Sequence, residues 1–363
     1  MGGGLVRFIW RTGMACILLA LATAAGRCEP AYIIDTHVHA DPQRALPGAV
    51  MDAIAAMNRC RIQRVVLMSP PAPGGRPTRY DVENLRFALQ KYPDRISLAG
   101  GGGSLNGMIE ATAVDAVTAP VVQRFRNMAG QLLEAGAIAF GEFAIHHLSL
   151  LPMGPRHPYE SVPADHPLLL VLTDIAAERQ RPIDVHLDMV PADMPQPPRP
   201  IFNTATPARL TANRAGFEVL LDHNPAAKIV WAHAGTDPLG TRNPGIEREL
   251  LQRHANLFMS LRLARGGPGP SFALDDSATL KPGWLALLRD FPDRFVLGSD
   301  FFYGGQRGPG EDEFRNFWRL LCQLPDDLAT KIAFRNAAQI YRLPEQPMPN
   351  GSLANVKFCS NAH

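Results

Sequence analysis

Eight short apolar runs rich in β-branched residues, helix-period segments between them and 363 residues of chain predict a closed (β/α)8 TIM barrel with long loops after strands four and five. The runs are Tyr32–His39, Arg64–Ser69, Ile96–Gly101, Ala137–Phe143, Ile183–Asp188, Lys228–Ala234, Leu257–Leu263 and Phe295–Phe301, beginning 29 to 46 residues apart. Near-continuous apolar strands of this kind belong to a parallel sheet whose faces are covered by helices. Helical spacing follows the first run in Val50-Ile54-Met57 and the fourth in Leu168-Leu172-Ile175-Ala176. An open doubly wound sheet is the rival, but no Gly-x-Gly-x-x-Gly turn follows the first run. The connections Leu148–Pro167 and Met189–Pro207 are long and proline-rich, the second containing Pro-Gln-Pro-Pro-Arg-Pro. At the C-terminal rim of a barrel they read either as lids over a pocket or as plain surface insertions. Asp326–Leu343 reads as a closing helix.

Residues 1–28 read as a signal peptide, 29–344 as the barrel and 345–363 as a polar C-terminal tail. Arg7 and Arg11 give the leader a basic start, Gly13–Ala22 its apolar run and Ala22-Thr23-Ala24 a small-residue cleavage pattern. The run is shorter than the roughly 20 residues needed to span a bilayer. The expected product is therefore exported, periplasmic or secreted, with no stable membrane insertion after cleavage; an uncleaved anchor is the alternative. Lys+Arg 36 against Asp+Glu 34 gives a net charge of +2, without the clustered basic residues that a nucleic-acid partner requires. At 46% hydrophobic and 19% charged the chain is neither disordered nor fibrous. The oligomeric state is not legible. Export would make Cys28, Cys60, Cys322 and Cys359 candidates for bridges. A closed barrel sets its first and last helices side by side, so Cys60 and Cys322 could be brought together, and Cys28 with Cys359 if both tails lie on one face. Two separate buried thiols remain the stronger expectation for Cys60 and Cys322, because a bridge needs Cα atoms within about 7 Å.

Residues able to bind metal occupy the C-terminal ends of five runs: His37 and His39 on the first, Glu142 on the fourth, His186 on the fifth, His233 on the sixth and Asp300 on the eighth. In a strand residues i and i+2 point the same way, so His37 and His39 can grip one ion. Imidazole and carboxylate suit Zn²⁺ first, with Mn²⁺ or Fe²⁺ as alternatives. Glu142 closes an otherwise apolar run, where an ionised carboxylate needs a cation or donors to offset its burial. Arg262, at the end of the seventh run, completes the candidate catalytic set as a handle for a substrate carboxylate or phosphate, if it faces the mouth. Arg307 and the pair His146-His147 are weaker candidates, and adjacent strand residues point oppositely, so at most one of that pair faces the pocket.

Ile33-Ile34-Asp35-Thr36-His37-Val38-His39 resembles the opening motif of the amidohydrolase superfamily of metal-dependent hydrolases. Val230-Trp231-Ala232-His233-Ala234-Gly235 resembles its sixth-strand segment, Leu297-Gly298-Ser299-Asp300 its eighth, and Lys331–Leu343 with Asn336-Ala337-Ala338 the closing helix of the amidohydrolase-related branch, which includes decarboxylases. The resemblance implies His37, His39, His186 and Asp300 as ligands of one ion, with His233 catalytic. In a deoxyribonuclease-like branch a strand-four glutamate bridges two ions, and Glu142, His186 and His233 would fit that pattern; the closing helix weighs toward one ion, with Glu142 beside it. The implied activity is attack by metal-activated water on an amide, ester or lactone carbonyl of a small molecule, with Asp300 carrying the proton and His233 steadying the oxyanion. Non-oxidative decarboxylation of an unsaturated or aromatic acid, or a non-catalytic metal-binding protein, are the alternatives.

Overall fold

The computed structural model describes residues 1, 33–41, 44–71, 80–154, 157–198, 200–264, 269–305 and 311–344. The expected signal peptide (Met1 apart), the tail 345–363, Cys28, Cys359 and Arg307 lie outside them. The barrel strands are β1 (Ile33–Ala40), β2 (Ile62–Met68), β3 (Ile96–Gly101), β4 (Ala137–His147), β5 (Ile183–Leu187), β6 (Ile229–Ala234), β7 (Leu257–Leu261) and β8, which comes in two pieces, Phe295–Leu297 and Phe301–Tyr303. Each pairs in parallel with the next, and both pieces of β8 return to β1, closing the ring. Helices cover the outside, among them α1 (Leu46–Cys60), α2 (Val82–Lys91), α3 (Leu105–Ala111), α4 (Ala119–Glu134), α5 (Pro167–Arg179), α6 (Arg214–His223), α7 (Pro244–Arg253), α8 (Pro282–Asp290) and α9 (Glu311–Leu321). Every residue of β1 and β3 is buried, as strands enclosed on both faces require. No helix among the described residues is long and apolar enough to cross a membrane.

The closing helix runs as α10 (Asp326–Thr330), a π-helical turn at Lys331–Arg335 and α11 (Asn336–Tyr341). Its Asn336 is buried and donates to the carbonyls of Pro292 and Phe295, pinning the entrance of β8. Gly298, in the gap of β8, lies where β7, β8 and β1 converge. A Cβ there would stand 2.0 Å from Ser260 Oγ and 2.9 Å from His37 Cβ, so only glycine fits under the first histidine.

Three expectations need correction. Glu142 does not sit at the end of β4, because the strand continues to His147 and its last residues pair with an antiparallel piece, Glu160–Ser161, from the following loop. The eighth run is not continuous: Asp300 takes a φ of 54°, which breaks the ladder between its two pieces. The candidate Cys60–Cys322 bridge does not form: Cys322 is disulfide-bonded, and not to Cys60.

The two long loops hold one another. Ser149 and Leu151 bond to Asn203 and Ile201 across them, and Leu150 bridges Phe202. Leu148, Val190, Phe202, Leu210 and Leu239 form a small core of their own. Each such side chain contributes roughly 1.5–3 kcal/mol on burial, enough to order loops with little regular structure. His157 on the first loop stacks 4.5 Å from His147, which lies 4.7 Å from His186, so this cap reaches the mouth of the barrel.

Candidate metal centre

At the C-terminal mouth two donor groups share one carboxylate. His37, His39, Glu142 and Asp300 form the first, and Glu142, His186 and His233 the second. Glu142 Oε2 stands 3.5 Å from His37 Nε2 and 3.4 Å from His39 Nε2, while its Oε1 stands 3.0 Å from His186 Nδ1 and 3.3 Å from His233 Nε2. Asp300 Oδ1 completes the first group at 3.8 and 3.4 Å from the same two nitrogens. The expected single-ion set of His37, His39, His186 and Asp300 is thus not gathered: His186 falls in the second group, because Glu142 reaches between them.

Hydrogen bonding leaves each group able to hold a cation instead of closing it on itself. His37 Nδ1 faces the Asp184 carboxylate at 3.1 and 3.2 Å, and His39 Nδ1 faces the Met68 carbonyl at 3.2 Å. Those acceptors hold the ring protons on Nδ1, so each neutral ring turns a lone pair outward from Nε2. The two Nε2 atoms are 3.1 Å apart, and as neutral rings neither would have a hydrogen to give the other. In the second group His186 Nε2 faces Asp188 at 3.4 Å, which turns its Nδ1 lone pair onto Glu142, and His233 Nδ1, fully buried, has no partner among the described residues. Converging lone pairs and carboxylates call for protons or a metal ion.

The electrostatics agree. Burial pulls the His37 imidazole down, but Asp184 and then Glu142 outweigh it and lift it well above its ordinary value. Burial likewise opposes His186, which Asp188 and Glu142 raise to about 10. Burial pushes His233 down to about 3. Burial works against the charge on Glu142, yet His37 and the histidine hydrogen bonds hold it well below the usual carboxylate range. Asp300 is held low in the same way, against burial, by Arg262 and then His233. Without metal the acids are thus balanced by protonated imidazoles, and a divalent ion would displace those protons.

Backbone geometry places the donors. His233 has a φ of 67°, a left-handed conformation that turns its ring back across the mouth. Gly141, before Glu142, has a φ of 149°, and a Cβ on it would stand 2.7 Å from Asp184 Cβ; the room it leaves is taken by the neighbouring strand. Asp35 accepts from the Ser299 amide at 3.0 Å, the Ser299 hydroxyl at 2.5 Å and the His37 amide at 3.2 Å, tying β1 to the break in β8. Arg262 follows β7 and faces the mouth, its Nη2 3.4 Å from Asp300 Oδ2. Of the adjacent histidines, His147 turns its ring to His186, while His146 bonds the Asp188 carbonyl. Asp184 and Asp188 were not among the sequence candidates. The period-two spacing of Asp184, His186 and Asp188 carried that signal, as it did for His37 and His39.

Comparison with known proteins adds the following. Residues 34–343 match the family described as Amidohydrolase. No curated protein matches. Among solved structures, an uncharacterised TIM-barrel protein from Bordetella bronchiseptica is similar at 14% identity and a TM-score of 0.52, covering 86% of this chain and 99% of that one. A 4-oxalomesaconate hydratase from Rhodopseudomonas palustris is similar at 15% identity and a TM-score of 0.49, covering 86% and 96%. At 14% identity the likeness to the Bordetella protein shows the fold alone.

Proposed function

The chain belongs to the amidohydrolase family, and on that premise we propose that it is a metal-dependent hydrolase acting at the amide, ester or lactone carbonyl of a small molecule. The observation that carries the reading is Glu142, whose two oxygens face two separate donor groups. This supports two divalent ions, zinc first, which His37, His39 and Asp300 on one side and His186 and His233 on the other would hold with Glu142 common to both groups, in place of the single ion expected from the closing helix. Bound there, the ions would supply Lewis acidity and lower the pKa of a water toward about 7. His37 and His39, fixed by Asp184 and the Met68 carbonyl, keep their Nε2 lone pairs aimed at one point without further adjustment. Asp300 accepts the proton of the attacking water and returns it to the leaving group, its second oxygen resting against Arg262. The first capping loop reaches the mouth through His157 and His147.

Titrating the metal-stripped enzyme with Zn²⁺ tests this. Activity should rise until two equivalents are bound, and Glu142→Gln should lose about 100-fold or more in kcat together with the second equivalent. Saturation at one equivalent, with Glu142→Gln near wild type, would refute the two-ion reading.

A second reading, loss of carbon dioxide from an unsaturated or aromatic acid, is favoured by Arg262 standing at the mouth, where a guanidinium can hold a carboxylate. Carbon dioxide evolution from a panel of such acids separates the two. Under either, Arg262→Ala should raise KM for anionic substrates by about tenfold or more and leave neutral ones nearly unchanged. Equal effects on both classes would remove Arg262 as a handle.

A further inference from the structure

The face of the barrel opposite the metal centre carries a cavity of about 200 Å³ lined by Ala176, Gln180, Arg181, Ala226, Lys228 and Arg342. Arg181 and Lys228 stand just before β5 and β6, at the strand ends farthest from the metal donors, and Arg342 ends α11. Three cations thus share one cavity, and no carboxylate is among its lining residues. The polar contacts of Lys228 and Arg342 there are neutral: Lys228 Nζ donates to the Gln339 carbonyl at 3.3 Å, and Arg342 donates to the Gln180 side-chain oxygen.

Helix ends offset only part of this charge. α5 finishes against Gln180 and α11 against Arg342, and a helix C-terminus presents at most about half a negative charge. Two such ends bring about one negative charge to three positive ones, leaving an excess of about two. Lys228 registers the excess: burial and then Arg342 draw it below its ordinary pKa, with no acid opposing them.

We propose that this cavity binds a small dianion, inorganic phosphate or a phosphate monoester. Two guanidinium groups supply the forked donors that phosphate oxygens accept, and Lys228 adds a point charge. Because Arg342 takes the Gln180 oxygen, the Gln180 amide is left to donate. Ala176 and Ala226 have no side chain beyond Cβ to fill the space.

Calorimetric titration of the metal-loaded full chain with inorganic phosphate, and separately with methyl phosphate, in low-chloride buffer tests the proposal. The metal centre also attracts phosphate, so the reading comes from Arg181→Gln, Lys228→Gln and the double variant, all distant from that centre. One phosphate site should weaken about tenfold or more in each single variant, with kcat and KM unchanged. In the absence of phosphate, the melting temperature of each variant should hold or rise, because one of three like charges has gone. Binding of methyl phosphate as tight as phosphate identifies a monoester site, and tighter binding of phosphate a site for the free ion. Equal phosphate affinity in the wild type and the double variant, or no phosphate binding beyond the metal centre, would overturn the proposal.

Discussion

Asp300→Asn is expected to lower turnover by about three orders of magnitude, measured at saturating metal, while the protein melts within a few degrees of wild type. Asp300 divides its carboxylate: Oδ1 faces His37 and His39 Nε2, and Oδ2 faces Arg262 at the mouth. Asparagine keeps the shape and can leave its oxygen toward the donor group. Its amide carries no charge and cannot accept a proton, so both the ligand strength and the proton transfer are lost together. The fold should survive because the φ of 54° at this position suits asparagine as well as it suits aspartate, and the Asp300 amide still reaches the His37 carbonyl at 2.9 Å. Steady-state kinetics paired with circular-dichroism melts separates the two effects. Near-normal kcat in a folded Asp300→Asn protein would remove this residue from the chemistry.

The barrel was legible because its strands are buried on both faces and so read as unbroken apolar runs. Their limits were less so. β4 extends to His147 because its residues past Glu142 pair with β5 on one side and, at His146 and His147, with a loop that folds back as Glu160–Ser161, a tertiary event with no local signature. β8 breaks at Asp300 because the residue bends into a left-handed conformation that propensity alone would not assign to aspartate in a strand. Each predicted donor, His37, His39, Glu142, His186, His233 and Asp300, stands at the mouth, since parallel strands in register deliver their C-terminal ends to one place. What sequence could not supply was how Glu142 divides its two oxygens between the two donor groups. Nor could spacing reveal that Asp184 and Asp188 fix the imidazoles from behind, although their alternation with His186 hinted at a shared face. The cysteine pairing was not legible for a related reason: neighbouring helices bring two residues near each other without guaranteeing the short Cα separation a bridge needs.

Removing Arg242 should destabilise the protein by about 3–5 kcal/mol at pH 8 and by much less at pH 5. Arg242 is buried after β6, its guanidinium 3.7 Å from the centre of the Trp231 ring. It donates to the carbonyls of Ala232 and Trp231 and, through Nε at 3.0 Å, to Glu247 Oε1. Glu247 is fully buried on α7, and its other oxygen has no hydrogen-bond partner among the described residues. Burial lifts this carboxyl to about 7 even though Arg242 pulls it down. A carboxyl whose folded pKa exceeds its unfolded value of 4.5 binds more protons folded than unfolded, so its contribution to stability falls as pH rises through that window. Without Arg242 the folded value climbs further and the fall continues to higher pH. At pH 5 Glu247 is already protonated in both proteins, and only packing and hydrogen bonds are lost. Denaturant unfolding of Arg242→Met at the two pH values measures the difference, and Arg242→Met/Glu247→Gln should recover most of the loss at pH 8 because no uncompensated charge remains. A loss equal at both pH values, and unchanged in the double variant, would mean that packing against Trp231 is all Arg242 supplies. The same substitution should also lower kcat at saturating metal, because the carbonyls it releases belong to the two residues before His233, whose left-handed backbone aims that ring at Glu142.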